Sequence, residues 1–272
     1  AANPGNYNAS GFSKDGKSFF YSTNAGKELT YLVQYDLAGG GRKTIFETNW
    51  DVMYSYVSEN EKYRVIAINE DGKNALRILN NATGQPVAFP DIPDGDILAV
   101  SIAKSEKKMR LTVGSSKAPS NLYVYNFDSK GLKKLTNTLN PEINADDLVT
   151  AEVVRFKSFD GLEIPAIYYK PLNAAANSKV PALVWVHGGP GGQSRVGYSA
   201  FIQYLVNHGY AVLMVNNRGS SGYGKSFYKM DDLNHGEKDL QDCIYGKKHL
   251  QTLDYVDGEK IGIIGGSYGG YM

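Results

Sequence analysis

Short apolar stretches separated by polar turns fill the first half of the chain, and they return at a fixed interval. The turns Phe12-Ser13-Lys14-Asp15-Gly16-Lys17, Val57-Ser58-Glu59-Asn60-Glu61-Lys62 and Ile102-Ala103-Lys104-Ser105-Glu106-Lys107 stand 45 residues apart. Each is followed by a β-type run: Ser18-Phe19-Phe20-Tyr21, Tyr63-Arg64-Val65-Ile66-Ala67 and Met109-Arg110-Leu111-Thr112-Val113. A second run follows in each unit, at Tyr31 to Tyr35, Leu76 to Leu79 and Leu122 to Tyr125. A third lies at Lys43 to Phe46, Pro86 to Phe89 and Leu132 to Leu135. Short strands recurring every ~40–50 residues mark β-propeller blades. A plain antiparallel sandwich would not predict a matched turn at constant spacing. Three blades fall short of the ~4–8 that close a ring, so more are expected upstream of Ala1.

The pattern changes near residue 145. The polar segment Asn137 to Asp147, with Pro141, reads as a linker. Two strands follow, Ala151 to Phe156 and Ile164 to Tyr169, around the turn Phe159-Asp160-Gly161. Val180 to Val186 and Ala211 to Val215 are continuous apolar runs, as expected of strands buried on both faces. Between and after them, Tyr198, Phe201, Ile202 and Leu205, then Leu240, Cys243, Ile244, Lys247 and Leu250, are spaced as helical faces. A fifth strand, Ile261 to Ile264, is taken as buried too. Alternating strands and helices imply a mostly parallel sheet. The expected organisation is a partial β-propeller over residues 1–145, followed over residues 146–272 by the N-terminal part of an α/β domain.

Composition narrows the partners. A net charge of +1 over 272 residues gives no reason to expect nucleic acid or an anionic membrane. No apolar run approaches the ~20 residues of a membrane span. The single cysteine, Cys243, excludes an intrachain disulfide. No two histidines share a ligand-like spacing, so neither a metal nor another cofactor is expected. Compartment and oligomeric state stay open. The start, Ala1-Ala2-Asn3, lacks an initiator Met, and the chain is expected to follow a removed segment or to be cut at both ends.

The chemistry lies after the fifth strand. Gly265-Gly266-Ser267-Tyr268-Gly269 is a Gly-x-Ser-x-Gly pentapeptide, the nucleophile elbow of an α/β-hydrolase. Ser267 is the expected nucleophile, and the Tyr268 N–H the first oxyanion donor. His187-Gly188-Gly189-Pro190-Gly191-Gly192 leaves the third strand, where the second half of the oxyanion hole is built. The Gly188 and Gly189 amides are both candidates for it. His187 is read as a structural histidine shaping this loop rather than as the general base. Arg218, in the glycine-rich loop after the fourth strand, offers a planar fork. Its partners are either Glu237, Asp239 or Asp242, or a substrate carboxylate. His208, His235 and His249 are read as solvated. The triad order in this fold is Ser, acid, His, which places the acid and the base beyond Met272.

Taken together, these motifs resemble the prolyl oligopeptidase family of serine peptidases. The resemblance rests on blades followed by Phe156 to Ala166, then His187-Gly188-Gly189-Pro190, Asn217 to Gly224, and Gly266 to Met272. It covers essentially the whole chain and is most similar to the acylaminoacyl-peptidase-like branch. Other members carry a tyrosine at the His187 position, whose hydroxyl serves as an oxyanion donor; with His187 there, a loop amide is implied instead. Trp50-Asp51-Val52-Met53-Tyr54 does not match the Glu-bearing motif by which dipeptidyl peptidases hold a substrate amine. The resemblance implies hydrolysis of short peptides through an acyl-enzyme, with a propeller restricting access. An esterase or acyl hydrolase, or a catalytically incomplete propeller-based binding fragment, remains the alternative.

Overall fold

The structure is a computed structural model that describes residues 4–88, 92 and 95–272. It divides into two units: Ala1–Gly114 with Ser120–Thr138 and Tyr223–Lys225, and Ser115–Pro119 with Leu139–Gly222 and Ser226–Met272.

The first unit is three antiparallel sheets. Strands β1 (Tyr7–Phe12), β2 (Ser18–Thr23), β3 (Tyr31–Asp36) and β4 (Arg42–Phe46) pair in sequence order. Strands β5 (Asp51–Val57), β6 (Tyr63–Glu70) and β7 (Lys73–Asn80) form the second sheet. Its continuation is a single bridge between Leu79 and Pro86, and Phe89 lies outside the described residues. The third sheet is β8 (Asp96–Ile102), β9 (Lys108–Gly114), β10 (Asn121–Asn126) and β11 (Leu132–Lys134). Each sheet thus has a strand ahead of the repeated turn that apolar alternation did not predict. β1, Tyr-Asn-Ala-Ser-Gly-Phe, is polar and largely exposed, and only its pairing with β2 defines it.

The repeated turns have a common geometry. Gly16, Glu61 and Glu106 all sit at positive φ, at 69°, 60° and 55°. For a glutamate this costs conformational energy, which must be met elsewhere. Glu106 Oε1 accepts the Ser58 hydroxyl at 2.5 Å and the Asn60 N–H at 2.8 Å, one repeat earlier. Glu61 Oε1 accepts the Lys14 N–H at 2.8 Å in the same manner. The second and third turns are therefore each tied to the turn 45 residues before. Behind the turns, Tyr63, Val65, Ile78, Leu111, Val113, Tyr123 and Tyr125 share one apolar cluster, and Leu32, Val52, Ile66 and Ile68 another.

The second unit is a five-stranded sheet in the order β12-β13-β15-β14-β16. Its strands are β12 (Glu152–Lys157), β13 (Glu163–Tyr169), β14 (Val180–Val186), β15 (Ala211–Val215) and β16 (Val256–Gly265). The sheet is mixed rather than mostly parallel. β14 pairs parallel with β15 and β16, while β12–β13 and β13–β15 are antiparallel. The short Phe159-Asp160-Gly161 turn allows only a hairpin there, whereas helices carry the two parallel crossovers. Helix α1 (Ala200–Asn207) joins β14 to β15; α2 (Lys225–Tyr228) and α3 (Lys238–Gln251) precede β16; α4 (Tyr268–Tyr271) follows it. β16 is an edge strand with Ile263 56% exposed, not a strand buried on both faces.

The helical faces also differ from apolar spacing. Tyr198 lies ahead of the N-cap Ser199, and α1 buries Ile202, Gln203 and Val206 while Phe201 is exposed. Gln203 earns its buried place by accepting the Val149 N–H at 3.0 Å and donating to the Val149 and Ser116 carbonyls, each at 2.8 Å. α3 buries Asp239, Asp242, Cys243, Gly246 and Leu250, and exposes Ile244. No helix among the described residues is long and apolar enough to cross a membrane.

Candidate active site

Ser267 stands at the end of β16, exposed, with φ 55° and ψ −122°. A non-glycine residue in that region is strained, and it persists only where its surroundings dictate it. They do so through glycines. A Cβ at Gly269 would fall on the Val186 carbonyl oxygen, and one at Gly265 would fall on the Gly269 carbonyl. The strand end and the first turn of α4 therefore pack backbone against backbone. The Gly270 N–H donates to the Ser267 carbonyl at 2.9 Å, which closes that turn.

The loop leaving β14 lies against the serine. A Cβ at Gly188 would stand 3.3 Å from Ser267 Cβ and 3.7 Å from its Oγ, so only glycine leaves that approach open. Gly189, at φ 135°, could not carry a side chain without striking the Gly191 and Gly192 amides. The loop is also pinned from below. The Asn216 side chain accepts the Ser194 N–H at 2.6 Å and donates to the Ser194 carbonyl at 2.9 Å.

His187 holds the root of the same loop. Its Nδ1 is 2.9 Å from the Gly188 carbonyl oxygen, to which it must donate. Its Nε2 is 2.8 Å from Ser220 Oγ, and that hydroxyl also lies 2.6 Å from the Asn217 carbonyl. Burial holds the His187 pKa below the usual histidine value. Neither ring nitrogen is bonded to Ser267.

Arg218 is 3% exposed and its fork is committed. Nε and Nη2 donate to Asp242 at 2.9 Å each, and Nη1 and Nη2 donate to Asp160 at 2.9 and 3.1 Å. Asp242 also accepts the Arg218 N–H at 2.8 Å and the Ser158 hydroxyl at 2.6 Å. Of the partners considered from sequence, Asp242 is the one Arg218 engages, with Asp160 as a second. The hydrogen bonds from Arg218 hold the Asp160 carboxyl down at about 2.

Residues 196–272 match the model of the prolyl oligopeptidase family. Dipeptidyl aminopeptidase BIII of Pseudoxanthomonas mexicana is 27% identical over 269 residues, 96% of this chain and 39% of its own length. The acylamino-acid-releasing enzyme of Sus scrofa is 32% identical over 42% of this chain and 16% of its own length. Among solved structures, prolyl oligopeptidase B from Galerina marginata superposes with a TM-score of 0.84 at 20% identity. That match covers 98% of this chain and 38% of the other. Over residues 196–272 the chain is therefore similar to the prolyl oligopeptidase family, and the relative aligned over nearly all of it is a peptidase by name. The chain spans well under half the length of these relatives.

Several residues outside these motifs carry no motif signal of their own. His235 packs its ring edge-on against Tyr268, with centroids 5.6 Å apart, so it is not simply solvated. His249 stacks on Phe156, and His208 bonds the Tyr204 carbonyl through Nδ1 at 2.8 Å. Tyr228 lies over Gly191, where a Cβ would meet its ring at 2.5 Å. Asp239 takes the Tyr268 hydroxyl. Polar spacing on a helix says which residues face out on average, so buried aspartates on α3 leave no pattern to read. Among the described residues no cluster of His, Cys, Asp and Glu could hold a metal ion.

Proposed function

We propose that this chain carries the nucleophile half of a serine peptidase acting on short peptides. Ser267 Oγ attacks the scissile carbonyl carbon, its proton passes to a histidine base, and the amine leaves to give an acyl-enzyme that water then hydrolyses. The Tyr268 N–H and an amide of Gly188 or Gly189 hold the oxyanion. The observation that carries this reading is Ser267 itself: exposed, strained at φ 55°, and faced by a glycine at Gly188. Among the described residues none is hydrogen-bonded to its hydroxyl, and the reading places the base and the acid outside these 272 residues. In it, residues 1–145 are three blades of a propeller that admits short peptides, and residues 146–272 begin the catalytic domain.

His187 favours acylaminoacyl-type cleavage, because a ring bonded to Gly188 and Ser220 shapes the loop and leaves the oxyanion to amides. Dipeptidyl release is the second reading, supported by the named activity of the relative aligned over 96% of the chain. The full-length protein is to be assayed with an N-acetyl peptide anilide, a dipeptidyl anilide with a free amine, and a p-nitrophenyl ester. Cleavage of the acetylated peptide, lost in Ser267→Ala, is expected. Ester turnover with neither peptide cut would replace the peptidase with an acyl hydrolase, since the same elbow serves both bonds.

A further inference from the structure

Tyr268 does two separate things. Its backbone N–H lies in the turn just after Ser267, while its phenol reaches the start of α3. There the hydroxyl donates to Asp239 Oδ2 and accepts the Gly236 N–H at 3.0 Å. The Gly236 N–H also lies 3.2 Å from Asp239 Oδ2, and Asp239 Oδ1 accepts the Leu240 N–H at 2.9 Å. Asp239 is 0% exposed, and among the described residues no lysine or arginine is ion-paired with it. A buried carboxylate with no cation beside it is held by one phenol and by backbone.

The other side of the contact is equally constrained. Gly236 sits at φ 79°, and a Cβ there would come 2.6 Å from the Tyr271 hydroxyl oxygen. The rings of Tyr268 and Tyr271 are 5.6 Å apart, and both belong to α4. α4 has only four residues, far too few to hold a direction by its own hydrogen bonds. Tertiary contacts must set it, and the Tyr268–Asp239 bond is the charge-assisted one among them.

We propose that Asp239 is a positioning residue: through the Tyr268 phenol it fixes the Ser267–Tyr268 turn, and with it the aim of the Tyr268 N–H at the developing oxyanion. This rests on the peptidase reading above. A donor already oriented when charge develops lowers the barrier, whereas one free to swing does so less. The contact acts on the transition state and leaves substrate binding alone, so it belongs in kcat and not in KM.

The test uses the full-length enzyme with Tyr268→Phe, Asp239→Asn and the double variant. Tyr268→Phe removes one oxygen atom, and Asp239→Asn keeps the shape and an acceptor while losing the charge. Tyr268→Phe is expected to lower kcat on a peptide anilide by about 10–100-fold, with KM changed by less than about twofold. A peptide aldehyde, whose hemiacetal oxygen occupies the oxyanion position, should bind more weakly by the same factor. Asp239→Asn should lose less, and the double variant no more than Tyr268→Phe alone. Unchanged kcat in folded Tyr268→Phe would overturn the proposal. So would losses that multiply in the double variant, or a loss that tracks the folded fraction while aldehyde affinity holds. An inert wild type would overturn the peptidase reading and this proposal together; an active wild type with indifferent variants overturns this proposal alone.

Discussion

Arg218 and its two aspartates show how one side chain can join separate elements of a fold. The guanidinium joins the β12–β13 turn, through Asp160, to α3, through Asp242. Removing one partner of a buried pair leaves the other charge uncompensated, at a cost of about 3–5 kcal/mol. Arg218→Met should therefore lower the unfolding free energy by about that amount in denaturant titration. Asp160 adds a pH signature. Its folded pKa, about 2, is depressed chiefly by hydrogen bonds from Arg218, so its contribution is present above the ordinary carboxylate range and is lost as pH falls toward 2. Asp160→Asn should flatten the acid limb of the Tm–pH curve below pH ~4 and leave its shape at pH 6–8 unchanged. Asp231 has the opposite sign. Burial raises its pKa, and its Oδ2 has no hydrogen-bond partner. Its folded form is favoured when protonated, so stability falls as pH rises through that pKa. Asp231→Asn should raise Tm at pH 7 by about 2–4 °C and change it little near pH 3. Of these residues the sequence made Arg218 visible, because a fork inside a glycine-rich loop stands out. Asp242 could be named only as one of three candidates, Asp160 was visible only as part of a turn, and Asp231 carried no signal. The partners of Asp160 and Asp242 come from 58 and 84 residues away along the chain, in the Arg218–Asp160 and Ser158–Asp242 bonds, so local sequence does not reveal them.

The turns and strands follow the same division. The 45-residue interval located all three antiparallel sheets and the first and second strands after each turn, because those carry apolar alternation; the third run is a strand as β4 and β11, while in the second sheet it is a single bridge at Pro86. The strand before each turn escaped, since β1 is polar and is held by its ladder with β2. The interval also hid a bond. At the positive-φ turn position, Gly16 has no side chain, but Glu61 and Glu106 each reach back one repeat. Two opposed effects meet there: left-handed strain of about 1–2 kcal/mol, and charge-assisted bonds of about 1.5–3 kcal/mol each. Glu106→Ala should keep the strain and lose the bonds, while Glu106→Gly loses both. The alanine variant should therefore be the less stable by about 1 kcal/mol, measured by urea unfolding of the first unit. Equal stability of the two variants would show that the turn carries no strain. In the second unit β14 and β15 match their apolar runs residue for residue, as strands covered on both sides do. β16 does not, because edge position is a property of the sheet and not of Ile261 to Ile264.

Taken as one molecule, the chain places a strained serine between a glycine loop and a tyrosine bonded to Asp239, and its named relatives are peptidases. The account requires that the full-length protein react covalently at one residue. A fluorophosphonate probe with peptide mapping by mass spectrometry tests this most directly. The account predicts a single adduct on the peptide containing Ser267, absent in Ser267→Ala together with all peptide cleavage. An adduct at any other residue, or peptide cleavage that survives Ser267→Ala, would contradict it.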